Sequence, residues 1–270
     1  MSRLSIELEA VGLFAPGWPD WATALACLRG QAPVPEVTDV ERYPPPTGLP
    51  KNERRRSSRI TRIAFAACED ALAASSRDRS ALRTVFASCS GDMDIVDDIC
   101  RALTREPVAL SPTQFHNSVH NASAGYWGIA NAARVASTSL SAYDASLAAG
   151  LVEAALQLHD QPDTPVLMVC FDVMTQPPLS RARPVPIPFA VALLLGRDPA
   201  GSLGQLTLDA FAEPGETTLQ GPLESMRRAN PAARALPLLE QVARQTAGTV
   251  TLPMPSGRYG LAVDFGPAAT

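Results

Sequence analysis

The sequence predicts an α/β fold, a mixed sheet with helices on both faces, and three observations carry that prediction. Two segments, TPVLMVCFDV (164–173) and FAVALLL (189–195), are apolar almost without interruption, the pattern of strands covered on both sides. Helical and strand segments alternate along the chain, with no internal repeat. Residues 111–159 read as a polar turn, a helix, a strand, a sharp turn at Ala142-Tyr143-Asp144, and a helix apolar nearly all round.

Taken in order, residues 4–13 alternate loosely through Leu4, Ile6, Leu8, Val11 and Leu13 and read as a strand that Pro16-Gly17 ends. A short helix follows from Trp18 to Leu28, closed by Gly30. From Gln31 to Pro50 prolines dominate, which predicts an extended connection. The basic run KNERRRSSR (51–59) leads into a helix over about Ser57 to Ala74, with Ile60, Ile63, Ala64, Ala67, Cys68 and Leu72 on its apolar face. Residues 82–89 form an apolar strand, and Ser90-Gly91-Asp92 turns it into a helix that runs to about Leu103. Beyond the two buried strands, 205–212 alternate as an edge-like strand and 214–230 read as polar and irregular. Ala232 to Thr246 is a helix, and 249–253 with 258–265 form a closing pair of strands.

With 46% hydrophobic and 19% charged residues, the composition is that of an ordinary soluble globular protein. A net charge of −4 offers no basic field for nucleic acid. No window approaches the roughly 18 apolar residues of a membrane span. Glu7 and Glu9 interrupt any signal-peptide core, so a cytoplasmic protein is expected. The cysteines Cys27, Cys68, Cys89, Cys100 and Cys170 are widely spaced, form no CxxC pair and sit in apolar contexts, which predicts reduced, buried thiols.

Four groups of residues invite chemistry. Asp92, Asp94, Asp97 and Asp98 suggest a divalent metal, but carboxylates in a first helical turn also cap the helix and offset its dipole, and capping is the expectation. His116 and His120, spaced i, i+4 in HNSVH, would share a face of a helix, yet Asn117 stands where a zinc-protease helix carries its Glu. Two histidines lining a pocket or an interface are expected instead. The density of His, Asn and Ser in FHNSVHNAS predicts a backbone held by side-chain hydrogen bonds. Arg54, Arg55 and Arg56 could bind phosphate, or simply begin a solvated helix with acidic neighbours.

The fourth group is the turn at Asp144. A strand that bends abruptly into a buried helix presents one side chain at the helix N-terminus, where unpaired N–H groups favour negative charge. Enzymes often place a nucleophile there, and here the occupant is Asp144 with no cysteine beside it. Asp is among the best N-cap residues, and capping is the plain expectation. As a nucleophile it would form a mixed anhydride, far more labile than a thioester. Ser141 and Ser146 flank the turn without a GxSxG elbow. No histidine follows His159, so a mechanism that needs several downstream histidines is excluded.

These segments, in this order, resemble the N-terminal half of the β-ketoacyl synthases, over roughly residues 4–200. ELEAVGLFAPG looks like their opening strand, RRRSSRITRIAFAACEDAL their arginine-rich helix, and VFASCSGD the next strand and turn. SPTQFHNSVHNASAGYWGIA takes the place of their SP…N…AG segment, matching at Ser111, Pro112, Asn121, Ala124 and Gly125. STSLSAYDASLAAGLVEAA takes that of the nucleophile strand and helix, and VLMVCFD that of the next buried strand. The resemblance implies a truncated, thiolase-like ketoacyl synthase fold, with 1–270 as a single domain and 201–270 as its divergent completion.

Counting back from Glu153-Ala154-Ala155, the resemblance puts Asp144 in the slot of the family's catalytic cysteine. The family's catalytic histidines belong to a second half that this chain is too short to carry in full. Both departures imply no catalytic residue, metal or cofactor, and a chain-length-factor type of subunit. It would pair with an active β-ketoacyl synthase and meet an acyl carrier protein; a homodimer is the alternative. The wording FHNSVHN and GYWGIA most resembles the short synthase-like proteins of aryl polyene and xanthomonadin-type pigment pathways. Phe115, His116, Asn117, His120, Asn121, Tyr126 and Tyr143 are then the tunnel and interface candidates, and Arg54, Arg55 and Arg56 those for the carrier protein. Two competing readings stand beside this one. The first is a stand-alone acyl-thioester decarboxylase or hydrolase using Asp144 or His116/His120; the second is a structural homodimer that binds a carrier through its arginines.

Overall fold

Strand β1 (Leu4–Phe14) is the middle of the molecule although it comes first in the chain. The computed structural model describes residues 3–36 and 42–268. Its sheet also contains β2 (Arg83–Ala87), β3 (Ser137–Leu140), β4 (Val166–Asp172), β5 (Phe189–Gly196), β6 (Gly204–Ala212), β7 (Gly248–Pro253) and β8 (Gly260–Pro267). The order is β3-β2-β4-β5-β1-β6-β8-β7. β2 runs parallel to β3 and β4, and all other neighbours are antiparallel, which makes the sheet mixed as expected.

Every residue of β4 and β5 is buried, and the alternation explains why. Val166, Met168 and Cys170 face one core with Val191 and Leu193, while Leu167, Val169 and Phe171 face the other with Ala192 and Leu194. The first core lies under α1 (Trp21–Leu28), α7 (Ser146–Asp160) and α9 (Leu236–Arg244). The second lies under α3 (Arg59–Ala71) and α6 (Ala122–Asn131), with Phe65 edge-on to Trp127 at 5.2 Å between ring centroids. α3 rests so close on β1 that a Cβ at Gly12 would lie 2.0 Å from the Ala67 carbonyl oxygen. Asp70 of α3 accepts the N–H groups of Leu13 (2.9 Å) and Trp21 (2.7 Å), tying that helix to the end of β1 and the start of α1.

Several expectations need correction. The helix expected over Ser57–Ala74 is present as α3, and the basic run before it forms a separate helix, α2 (Lys51–Arg56), divided from α3 by the extended Ser57. Thus the basic run is itself helical. Of the proline-rich connection, 37–41 lie outside the described residues, and the rest has no helix or strand before Lys51. The strand at 205–212 is internal, since β1 and β8 flank β6 on its two sides. Residues 214–230 contain α8 (Gly221–Ala229), whose Gly-Pro start and charged face hide its period. The helix expected from Ala232 begins as a 3₁₀ turn, Pro231–Ala235, before α9. Cys100 is exposed on α4 (Met93–Leu103), a helix with no buried residue, whereas the other four cysteines are buried. α7 is less completely buried than its apolar run predicts, with Leu156 half exposed.

Candidate functional site

β3 leads through Ser141 and Ala142 into a left-handed residue, Tyr143 (φ 55°), and from there into α7. Ser146 pins this elbow: its hydroxyl accepts the Ala142 N–H (3.0 Å) and donates to the Tyr143 carbonyl (2.7 Å). The elbow presents Asp144, which caps nothing. The residue at the N-cap of α7 is Ala145, and the Asp144 carboxylate turns instead to two arginines. Arg183 donates to Asp144 Oδ1, and Arg234 Nη2 lies 3.3 Å from Oδ2. The Arg183 guanidinium also lies 3.7 Å from the Tyr143 ring centroid, a cation–π contact. The expected capping role fails because these side-chain cations outcompete the helix N–H groups for the carboxylate.

Arg234 belongs to the 3₁₀ turn that opens α9, and the surrounding charges hold it. Its Nε donates to Glu216 Oε1 at 2.7 Å; Arg227 bonds the same carboxylate and is itself gripped by Glu224 at 2.7 Å. Arg227's hydrogen bonds hold the Glu224 carboxyl down to about 2. The turn is stapled to the sheet by buried Asn230. Its side-chain amide donates to the carbonyls of Asp172 (2.9 Å) and Ile187 (2.8 Å), and its Oδ1 accepts the Ala232 N–H (2.8 Å).

Beneath the elbow, the ends of β2 and β4 form a buried polar floor. Asp172 Oδ1 accepts the Ser88 hydroxyl and the Cys89 N–H, each at 2.8 Å. Burial raises its carboxyl to about 6, against the opposing hydrogen bonds from Cys89 and Ser88 and the charge of Arg183. Burial, and then the charge of Asp172, push the Cys89 thiol up to about 12, so it is an inert thiol rather than a substitute nucleophile. Ser141 ties elbow to floor by donating to the Cys89 carbonyl at 2.9 Å.

The histidine segment is not one helix. α5 (Pro112–Asn117), N-capped by Ser111, ends before His120, and α6 starts after Asn121, so His116 and His120 do not share a helical face. His116 sits edge-on to Tyr126, with ring centroids 6.0 Å apart. Tyr126 is buried and donates to Asn117 Oδ1 (2.9 Å), while Asn117 donates to the Arg56 carbonyl (2.8 Å). His120 Nε2 donates to the Ser88 carbonyl (3.1 Å), which places it on the far side of the same floor as Asp144. Side-chain hydrogen bonds do hold this backbone. Phe115 projects outward, 65% exposed, and Asn121 is exposed beside a groove of about 570 Å³ between α6 and the β3 edge, lined also by His120, Gly125, Trp127 and Val135. Tyr143 is 58% exposed at the elbow.

Among the arginines of α2, Arg56 pairs with Glu53 at 3.5 Å and Arg55 bonds Asn52 at 3.1 Å. The acidic cluster behaves as caps and pairs: Asp92 accepts the Ile95 N–H (3.2 Å), Asp94 pairs with Arg59, Asp97 with Arg101 (2.6 Å), and Asp98 accepts from Gln114 (3.0 Å). Among the described residues, no group of three or more His, Cys, Asp and Glu is placed to hold a metal ion. No described helix is long and apolar enough to cross a membrane. Sequence reasoning missed Arg183, Arg234, Asn230, Ser88 and Asp172. A signal existed only for Asp172, a carboxylate closing an otherwise apolar, doubly buried strand.

Fold and elbow together define a mixed-sheet α/β protein whose β3–α7 turn carries a carboxylate bound by two guanidiniums. The model of the β-ketoacyl synthase N-terminal domain matches residues 18–256, and the chain belongs to that family. No curated protein matches it. Among solved structures, the complex of the ketosynthase ApeO with its chain length factor ApeC from Xenorhabdus doucetiae is similar at TM-score 0.70 and 23% identity, covering 97% of this chain and 99% of that one. The ishigamide ketosynthase/chain length factor is similar at TM-score 0.73 and 12% identity, with 97% and 98% covered. The AntDE:AntF complex, a type II polyketide acyl carrier protein with its ketosynthase, reaches 0.77 at 12%, with 98% and 100% covered. At these identities the likeness is one of fold.

Proposed function

We propose that this chain is a non-catalytic subunit of the chain-length-factor type, which pairs with an active β-ketoacyl synthase and shapes a polyene chain carried on an acyl carrier protein. The observation that carries the reading is Asp144 at the family's nucleophile elbow, engaged by Arg183 and Arg234 rather than poised for attack. The solved relatives named as ketosynthase/chain-length-factor complexes support the pairing. β3 ends the sheet with one side paired to β2 and no described strand on the other, which suits an edge that meets a partner. Phe115, His116, Asn117, His120, Asn121, Tyr126 and Tyr143 are the candidates for the interface and tunnel wall, and Arg54, Arg55 and Arg56 for the carrier. The whole chain acts as one domain, 201–270 completing the sheet, within a cytoplasmic heterodimer of an aryl polyene type pathway.

The test is co-expression with the β-ketoacyl synthase of its own pathway, purified by a tag on one subunit only. Co-elution in equal amounts is expected; failure to co-elute overturns the reading. A stand-alone acyl-thioester enzyme gains nothing from the geometry, since His116 and His120 reach different partners and Asp144 is ion-paired.

A further inference from the structure

The elbow has the anatomy of an anion site whose ligand is built in. Arg183 and Arg234 come from segments far apart in sequence and converge on one carboxylate, Asp144, from its two oxygens. Both guanidiniums are largely shielded, their side chains 15% and 18% exposed. Arg183 Nε is buried and has no hydrogen-bond partner among the described residues, so the site holds more donor capacity than Asp144 uses. Neither arginine is free to leave. Arg183 is stacked on Tyr143, and Arg234 is braced by Glu216 and by the turn that Asn230 staples to the end of β4 and to Ile187, just before β5.

We propose that Arg183 and Arg234 form a preformed carboxylate clamp that Asp144 fills from within, closing the elbow of this subunit to the carboxylate of any acyl thioester that reaches it. The clamp explains what the C-terminal segment contributes beyond strands: it delivers the second guanidinium. A planar guanidinium matches a carboxylate in geometry as well as charge, so the site selects a small carboxylate over chloride. The inference rests on the elbow reading of the proposed function but not on pairing, and its test uses this chain alone; either can fail without the other.

Replacing Asp144 by Ala removes a carboxylate and leaves a methyl group, so formate has the size and charge of what was lost. Sodium formate is compared with sodium chloride at equal ionic strength, reading Tm. The D144A variant is expected to gain an upward shift of about 2 °C or more in formate over chloride. Wild type is expected to show no such difference, and D144A with R234Q to lose it. No formate-specific shift in D144A, or an equal shift in wild type, overturns the clamp. A second variant stands independently of the first. In D144C with the exposed Cys100 replaced by Ser, the same guanidiniums stabilise a thiolate, so the pH midpoint of alkylation by iodoacetamide falls below the ordinary value of about 8.5 and rises again with R234Q. A midpoint at or above the ordinary value contradicts the proposal.

Discussion

The carboxylate of Asp172 accepts the hydroxyl of Ser88 at 2.8 Å, and its second oxygen is buried without a donor among the described residues. Burial raises its pKa from 3.8 to about 6, so the folded chain holds this proton more tightly than the unfolded chain does. The associated stability is fully present below pH 3.8 and is lost as pH rises to about 6. Urea unfolding at pH 4, 5, 6 and 7 is expected to show wild type losing about 2–3 kcal/mol relative to D172N across that window. A difference that stays flat with pH contradicts the assignment. Glu224 acts in the opposite sense at lower pH: its depressed pKa adds stability above 4.5 that disappears as pH falls toward 2.

The Asp144 side chain is 36% exposed, so its pairing with the better shielded Arg183 is worth much less than a fully buried ion pair. Asp144→Ala is expected to cost about 1–2 kcal/mol. In a double-mutant cycle with Arg183→Ala, a coupling of about 1 kcal/mol is expected, measured by urea midpoints. Zero coupling means the contact contributes nothing in solution.

Removing the Asn230 amide strands two buried carbonyls, those of Asp172 and Ile187. Asn230→Ala is expected to cost about 2–3 kcal/mol. Because the staple sets the Pro231–Ala235 turn, amide hydrogen exchange should speed up there before it does in β4. Uniform loss of protection would show the staple to be merely part of the global core.

Two glycines separate rigid from yielding neighbours. A Cβ at Gly12 meets backbone, Ala67 O at 2.0 Å and Ala71 N at 2.3 Å, so Gly12→Ala is expected to prevent soluble expression. At Gly150 the nearest atom is Met168 Cε at 2.5 Å, the end of a flexible side chain, and Gly150→Ala is expected to fold with a loss of about 1–2 kcal/mol. Equal soluble yields for the two variants would refute the packing argument.

Phe115 is exposed, so Phe115→Ala is expected to leave Tm within about 2 °C of wild type. If it lines the partner's tunnel as proposed, the reconstituted pair should make a product of altered length, read by mass spectrometry. An unchanged product distribution removes Phe115 from the tunnel wall.

The sheet was legible wherever local pattern and burial agree. β4 and β5 announce themselves because both faces are covered, and the turn at Ala142-Tyr143-Asp144 because a strand period gives way abruptly to a helical one. The place of β6 inside the sheet was not legible, since alternation reports one polar face and not which strands lie alongside. The short helix α2 was not legible either, since its six residues carry no apolar period and no side-chain cap. The clamp was invisible for a different reason. Arg183 lies in a proline-rich connection and Arg234 in a 3₁₀ turn, and nothing local marks either as a partner of a residue 39 positions away or more.

Strand β1 is bonded to β5 along one side and to β6 along the other, and β5 begins only at Phe189. On the ribosome, at roughly 5–20 residues per second, β1 therefore emerges about 10–35 seconds before its first ladder partner exists. α3, which fits over Gly12, is made early and can shelter one face of that strand, but its edges stay open. The nascent chain thus spends most of its synthesis with a long apolar strand unpaired, which makes chaperone supply and translation speed the levers on its yield.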